Sequence, residues 1–310
     1  MPESTWVEWP VRMRIFVAGH RGLVGSALVR RLQGAHDLVL RTRAQLDLTR
    51  REAVESFFAA EKPELVFLCA ARVGGIEANR SRPAEFIADN VLIETSVIHA
   101  AYQAKARLVF FGSTCLYPRD CPQPMKESAI LSGPFEPTSA PYSVAKLTGL
   151  TMCESYNRQY GTHFKTVIPA TLYGPHDNFD PASSHVLSAL LRRLHESRDA
   201  ASVSVWGTGK PVREFLYVDD LVDALMFLLD RDFESPINIG SGVGVTIREL
   251  AEQIAVTTGF KGKLEFDASR PDGAPGKVLD VSRLSEMGWK AGTTLHDGLR
   301  KTYDWWRKNA

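Results

Sequence analysis

The sequence is poor in cysteine. Its four, Cys69, Cys115, Cys121 and Cys153, include no C-x-x-C pair, which excludes a zinc-ribbon pattern and a disulfide framework. No metal site is expected. The first dozen residues lack the basic-then-apolar layout of a secretory signal, so reduced thiols in the cytoplasm are the expectation. No apolar run approaches the ~20 residues of a membrane span. Charge of one sign is lacking too. A net charge of +1 gives no global field for nucleic acid or an anionic membrane, and neither partner is expected. An anionic ligand must then be held by local basic residues. Repeats and low-complexity segments are absent. What remains is an ordinary globular composition, 44% hydrophobic and 24% charged, in a chain of 310 residues that can bury a sizeable core.

Short apolar, β-branched runs at 13–18, 37–40, 65–69, 108–112 and 165–168 read as buried strands, with helical stretches between them. The alternation predicts right-handed βαβ units: an α/β fold with a Rossmann-type doubly wound parallel sheet. Beyond residue 169 the rhythm loosens. A helix is expected at 184–196, strands at 203–206, 215–218 and 237–239, a helix capped by Asp219, a helix over 246–257, and a polar loop over 266–277. Residues 1–12 read as an extension. A cofactor domain is placed at 13–172 plus roughly 215–242, and a smaller α/β substrate-binding lobe at roughly 173–214 and 243–310.

The run Gly19-His20-Arg21-Gly22-Leu23-Val24-Gly25 spaces glycines three apart between the first strand and the first helix. That position lets the backbone approach a pyrophosphate at a helix N-terminus. The second strand ends not in the acidic residue that would bind a ribose hydroxyl but in Arg41-Thr42-Arg43. Guanidinium groups grip a 2′-phosphate, so Arg21 and Arg43, ahead of Arg41, predict NADP(H) rather than NAD. Asp47 lies at a distance suited to the adenine edge. Tyr142 and Lys146 stand four apart, on one face of a helix. An ammonium beside a phenol makes the tyrosine usable as an acid–base group. Ser113 ends the fourth strand, where such a sheet places its ligands. Its hydroxyl can hold a carbonyl while Tyr142 donates a proton.

In this order these residues resemble the extended short-chain dehydrogenase/reductase family, whose members handle nucleotide sugars. The likeness runs from about residue 14 to 306. It sharpens at 73–79, 112–118, 154–161, 172–179 and 213–220, in blocks shared with members that act on a GDP-4-keto-6-deoxyhexose. The resemblance implies a bifunctional enzyme. It epimerises C3 and C5 of GDP-4-keto-6-deoxy-D-mannose and reduces the C4 ketone with NADPH, giving GDP-L-fucose. It also implies roles: Cys115 as base and His185 as acid, with His185 bordering the cofactor as well. Lys146 would reach the nicotinamide ribose, and Pro169, Ala170, Thr171 and Leu172 would border its carboxamide. Arg193, Arg213, Trp206 and Asp272 would contact the GDP-sugar. A homodimer would form through the helices near 83–104 and 141–160.

Read without the resemblance, a cysteine near a strand end is a small hydrophobe and a lone histidine a surface group. Yet thiol and imidazole both titrate near neutrality, as proton transfer α to a ketone requires. Three rival readings stand beside this one. A reductase that skips epimerisation needs neither Cys115 nor His185. An NAD-dependent epimerase or dehydratase sits poorly with Arg21 and Arg43. A non-catalytic NADP-sensing module has no use for the Tyr142–Lys146 pair.

Overall fold

The computed structural model describes residues 12–181, 183–233, 235–270 and 272–310; the extension expected at 1–12 lies outside them except for Arg12. In chain order the first part runs β1 (Arg14–Ala18), α1 (Leu23–Leu32), β2 (Asp37–Val39), α2 (Arg51–Glu61), β3 (Leu65–Leu68), α3 (Ile76–Ser81), α4 (Pro83–Gln103) and β4 (Arg107–Phe111). A 3-10 turn at Thr114–Leu116 follows, then α5 (Ala140–Tyr160) and β5 (Lys165–Pro169). The rest comprises β6 (Thr171–Tyr173), α6 (Val186–Glu196), β7 (Ser202–Trp206), β8 (Val212–Tyr217), α7 (Val218–Leu229), β9 (Ile237–Ile239), β10 (Gly244–Thr246), α8 (Ile247–Thr258), β11 (Lys263–Asp267), β12 (Gly276–Lys277), α9 (Ser282–Glu286) and α10 (Leu295–Asn309).

The main sheet is fully parallel, in the order β2-β1-β3-β4-β5-β9. Helices cover both faces, so its strands read as unbroken apolar runs, and Ile15, Val17, Phe67 and Phe110 are completely buried. Each such side chain contributes about 1.5–3 kcal/mol. The order reverses between β1 and β3, which opens a crevice at their carboxyl ends. Across it stands a second core, built from α6, α8, α10 and strands β7 and β8. There β7 pairs in parallel with β11, while β8 pairs with β10, β12 and β6. The segment from Leu279 to Trp289 instead packs on the first core.

Three local expectations are corrected. The stretch 266–277 is not wholly a loop: it holds the end of β11 and all of β12. Asp219 does not cap α7. The helix starts one residue earlier, with Tyr217 at its N-cap, and Asp219 pairs with Arg30 from the first turn. The helix expected from 184 begins at Val186, with His185 as its N-cap. By contrast α8 opens with a reciprocal capping box between Thr246 and Glu249. Among the described residues no helix is long and apolar enough to cross a membrane.

Candidate active site

The glycine loop lies at the mouth of the crevice. Gly19 takes φ +85°, and α1 begins at Leu23 behind Gly22 as N-cap, with no side chain among the described residues capping its first N–H groups. Those donors are left for an outside acceptor, as a pyrophosphate at a helix N-terminus requires. His20 Nδ1, within the loop, is buried with no hydrogen-bond partner among the described residues. Gly25 packs on the loop's own backbone: a Cβ there would overlap the Gly19 carbonyl and lie 2.7 Å from His20 Cα. Backbone cannot swing aside as a side chain can. Gly25→Ala should therefore lose about 1–3 kcal/mol of stability and weaken NADPH binding at least ~10-fold, read by thermal melting and fluorescence titration.

Arg21 and Arg43 are exposed at this end of the sheet. Arg43 lines an open cavity of about 750 Å³ together with Asp47, Arg50 and Arg51. The last two arginines, in the turn into α2, had no motif to mark them. Arg41 is spoken for: it pairs with Glu61 and lies over the Phe57 ring. Asp47 accepts hydrogen bonds from the Thr49 hydroxyl and N–H, which hold its carboxyl below the usual range.

Ser113, Tyr142 and Cys115 converge. Ser113, two residues past β4, caps the 3-10 turn, its Oγ accepting the Cys115 N–H at 3.2 Å and lying within hydrogen-bonding reach of Tyr142. Burial pushes the Tyr142 phenol above its ordinary range, and the nearby Cys115 and Glu94 charges add to this. The phenol is thus protonated at neutral pH, as a proton donor must be. Lys146 is 3% exposed, with its Nζ 3.0 Å from the carboxylate of Glu94, which is fully buried. Sequence reasoning missed Glu94, since nothing in an α4 pattern marks an inward-facing acid.

It also missed Lys277, whose Nζ lies 3.7 Å from Cys115 Sγ. Burial raises the thiol's pKa, but the Lys277 charge and hydrogen bonds with Ser113, Ser139 and Lys277 outweigh it, leaving the thiol below its ordinary value. The other cysteines differ: burial raises Cys69, Cys121 and Cys153. His185, the N-cap of α6, is an exposed residue whose ring is partly desolvated by the protein around it. That desolvation lowers its pKa, opposed by Asp177 and reinforced by Lys277. Asp177 in turn accepts a hydrogen bond from Ser188 on α6.

On the lobe side, Arg213 sits half-buried on β8, beside Lys277 in register on β12. Arg193 donates to the Ser204 carbonyl at 2.8 Å, whereas its neighbour Arg192 is engaged by Glu196 at 2.7 Å. Trp206 is 53% exposed, so it is not a core residue, and Arg270 lies over its ring at 5.0 Å. Both carboxylate oxygens of Asp272 accept hydrogen bonds from Thr208, at 2.7 and 2.8 Å. At the end of β5 Pro169 and Ala170 are buried, and Thr171 and Leu172 half-buried at the start of β6.

The chain matches the profile of the NAD dependent epimerase/dehydratase family over residues 15–240. It is 54% identical over 302 residues to GDP-L-fucose synthase 1 of Arabidopsis thaliana, covering 96% of this chain and 94% of that one. With GDP-L-fucose synthase of Escherichia coli it shares 50% identity over 313 residues, 96% of this chain and 98% of the relative. A solved structure of a GDP-L-fucose synthetase from Naegleria fowleri, bound to NADP, superposes with a TM-score of 0.89 at 26% identity, covering 98% and 97% of the two chains.

Proposed function

The chain belongs to the NAD dependent epimerase/dehydratase family, and from that membership and the site geometry we infer that it converts GDP-4-keto-6-deoxy-D-mannose to GDP-L-fucose. It epimerises C3 and C5 and reduces the C4 ketone, with NADP(H) as cofactor. The observation that carries the epimerase half is the Cys115 thiol beside Lys277 at 3.7 Å. A plain ketone reductase has no need of a thiol tuned toward thiolate.

The hydrogens on C3 and C5 are α to the C4 carbonyl. The Cys115 thiolate takes such a proton, and the electron pair moves onto the C4 oxygen as an enolate. Ser113 and Tyr142 hold that oxygen by hydrogen bonds. His185 returns a proton on the opposite face. For reduction, bound NADPH supplies hydride chemistry, and Tyr142 gives its phenolic proton to the C4 oxygen. The glycine loop with the uncapped start of α1 suits the cofactor pyrophosphate, and Arg21 and Arg43 suit its 2′-phosphate. Arg193, Arg213, Trp206 and Asp272, from the smaller lobe, take the GDP-sugar.

The same reading places the enzyme in the cytoplasm as a homodimer joined through α4 and α5. Leu92 and Val144 are exposed on these two helices, as is Tyr160 at the end of α5. Sedimentation should give twice the chain mass.

The deciding experiment is turnover of GDP-4-keto-6-deoxy-D-mannose and NADPH in heavy water. Loss of NADPH absorbance with deuterium at C3 and C5 is expected. Reduced but unlabelled product would leave only a reductase, and no NADPH loss would remove the assignment.

A further inference from the structure

The lysine of the reducing site does not stand free. Its ammonium is 3.0 Å from the Glu94 carboxylate, both are shut away from solvent, and the pair lies under Tyr142, whose ring centre is 5.9 Å from Lys146 Nζ. The fold makes deliberate room for this acid. A Cβ on Gly149 would lie 2.7 Å from Glu94 Oε2 and would overlap the Phe110 ring, so α5 can pass over the carboxylate only with glycine there. Phe110 in turn lies under the ammonium at 4.8 Å. An acid costs several kcal/mol to bury, and removing its partner leaves that cost uncompensated.

We propose that Glu94 is a positioning residue of the reduction step: its carboxylate anchors the Lys146 ammonium and cancels the ammonium's field at Tyr142. This rests on the reductase half of the function inferred above. A lone ammonium beside a phenol favours tyrosinate, which suits the oxidative direction; a neutral pair leaves the phenol holding the proton that ketone reduction consumes. The other groups facing the pair are Cys69 at the end of β3 and Cys153 on α5, both held as thiols by burial. Facing Tyr142 are Ser113, Cys115 and, from α4, Phe86.

The test is Glu94→Gln in the full chain, which keeps shape and removes the charge. Tyr142 ionisation is read without cofactor or substrate, as the ultraviolet titration of each background minus its Tyr142→Phe counterpart. It should move about one pH unit lower. The alkaline limb of reduction should move down with it, while deuterium exchange at C3 and C5, whose protons move through Cys115 and His185, should fall far less than reduction. A Tyr142 titration that does not move, with only the melting temperature lowered, would make Glu94 a structural residue and overturn the proposal. If Glu94→Gln does not fold, Glu94→Gln/Lys146→Met, which buries no charge, replaces it. Its phenol should titrate within about half a unit of wild type, and a larger displacement overturns the proposal. Since the titration needs no sugar, a wrong substrate assignment would show in turnover alone and leave this result standing.

Discussion

Phenylalanine in place of Tyr142 should cut NADPH-dependent ketone reduction by about 10²–10⁴-fold, the usual worth of a positioned proton donor. The ring itself survives the change, so its edge-on contact with Phe86, 6.4 Å between centres, is kept and the fold should not suffer. Cys115 remains, and deuterium should still enter C3 and C5, slowed only by loss of one of the two hydrogen bonds to the enolate oxygen. Stopped-flow absorbance of NADPH and mass analysis of the recovered sugar separate the two effects. Equal loss of exchange and reduction would mean that Tyr142 serves the epimerisation as its principal acid, not the hydride step.

Cys115→Ala should have the converse effect, lowering deuterium exchange by about 10²–10⁴-fold while NADPH binding holds. Any residual product should retain the substrate's configuration at C3 and C5. Lys277→Met tests the cause of the thiol's reactivity. A thiolate is required, so activity falls as pH drops through the thiol pKa. That pKa is held below the ordinary thiol value by Lys277, whose charge is the largest influence opposing burial. Without it the thiol should rise and the acid limb of epimerisation move to higher pH, by about one to two units. An acid limb that stays put would assign Lys277 to substrate binding alone.

The parallel sheet and the glycine loop were legible because long apolar runs and a positional motif carry them. So were Tyr142 and Lys146, whose spacing is itself the signal, and Ser113, marked by its place after an apolar strand. The short strands β6, β10 and β12 could not be read: β2 and β9 are as short but lie in the main sheet, whereas these three pair with β8 outside it and carry no buried apolar run. The helix α10 could have been found. Thr294 caps it, and Leu299, Thr302, Tyr303 and Trp306 recur on its buried face at helical spacing. Glu94 and Lys277 are different in kind. Each is an ordinary charged residue in its own segment, and it matters only because of what a distant segment brings against it. The resemblance chose Arg193 over Arg192; in the structure Arg192 is held by Glu196 and the Phe179 carbonyl, and Arg193 by the Ser204 carbonyl.

The pairing of β12 with β8 has a consequence for how such a chain can change. Gly276 faces Val212 and Lys277 faces Arg213, and this two-residue ladder, continued by the Val278 and Leu279 N–H bonds to Gln123 and Glu214, sets which way Lys277 points. Slipping the ladder by one residue would turn Lys277 to the opposite side of the sheet. The proton affinity of a cysteine 162 positions earlier is therefore governed by a phase, as in a gear train. Changes along β12 are tolerated only where the teeth re-engage on the same count. A change that shifts the count by one would leave every site residue present in the sequence and silence the thiol.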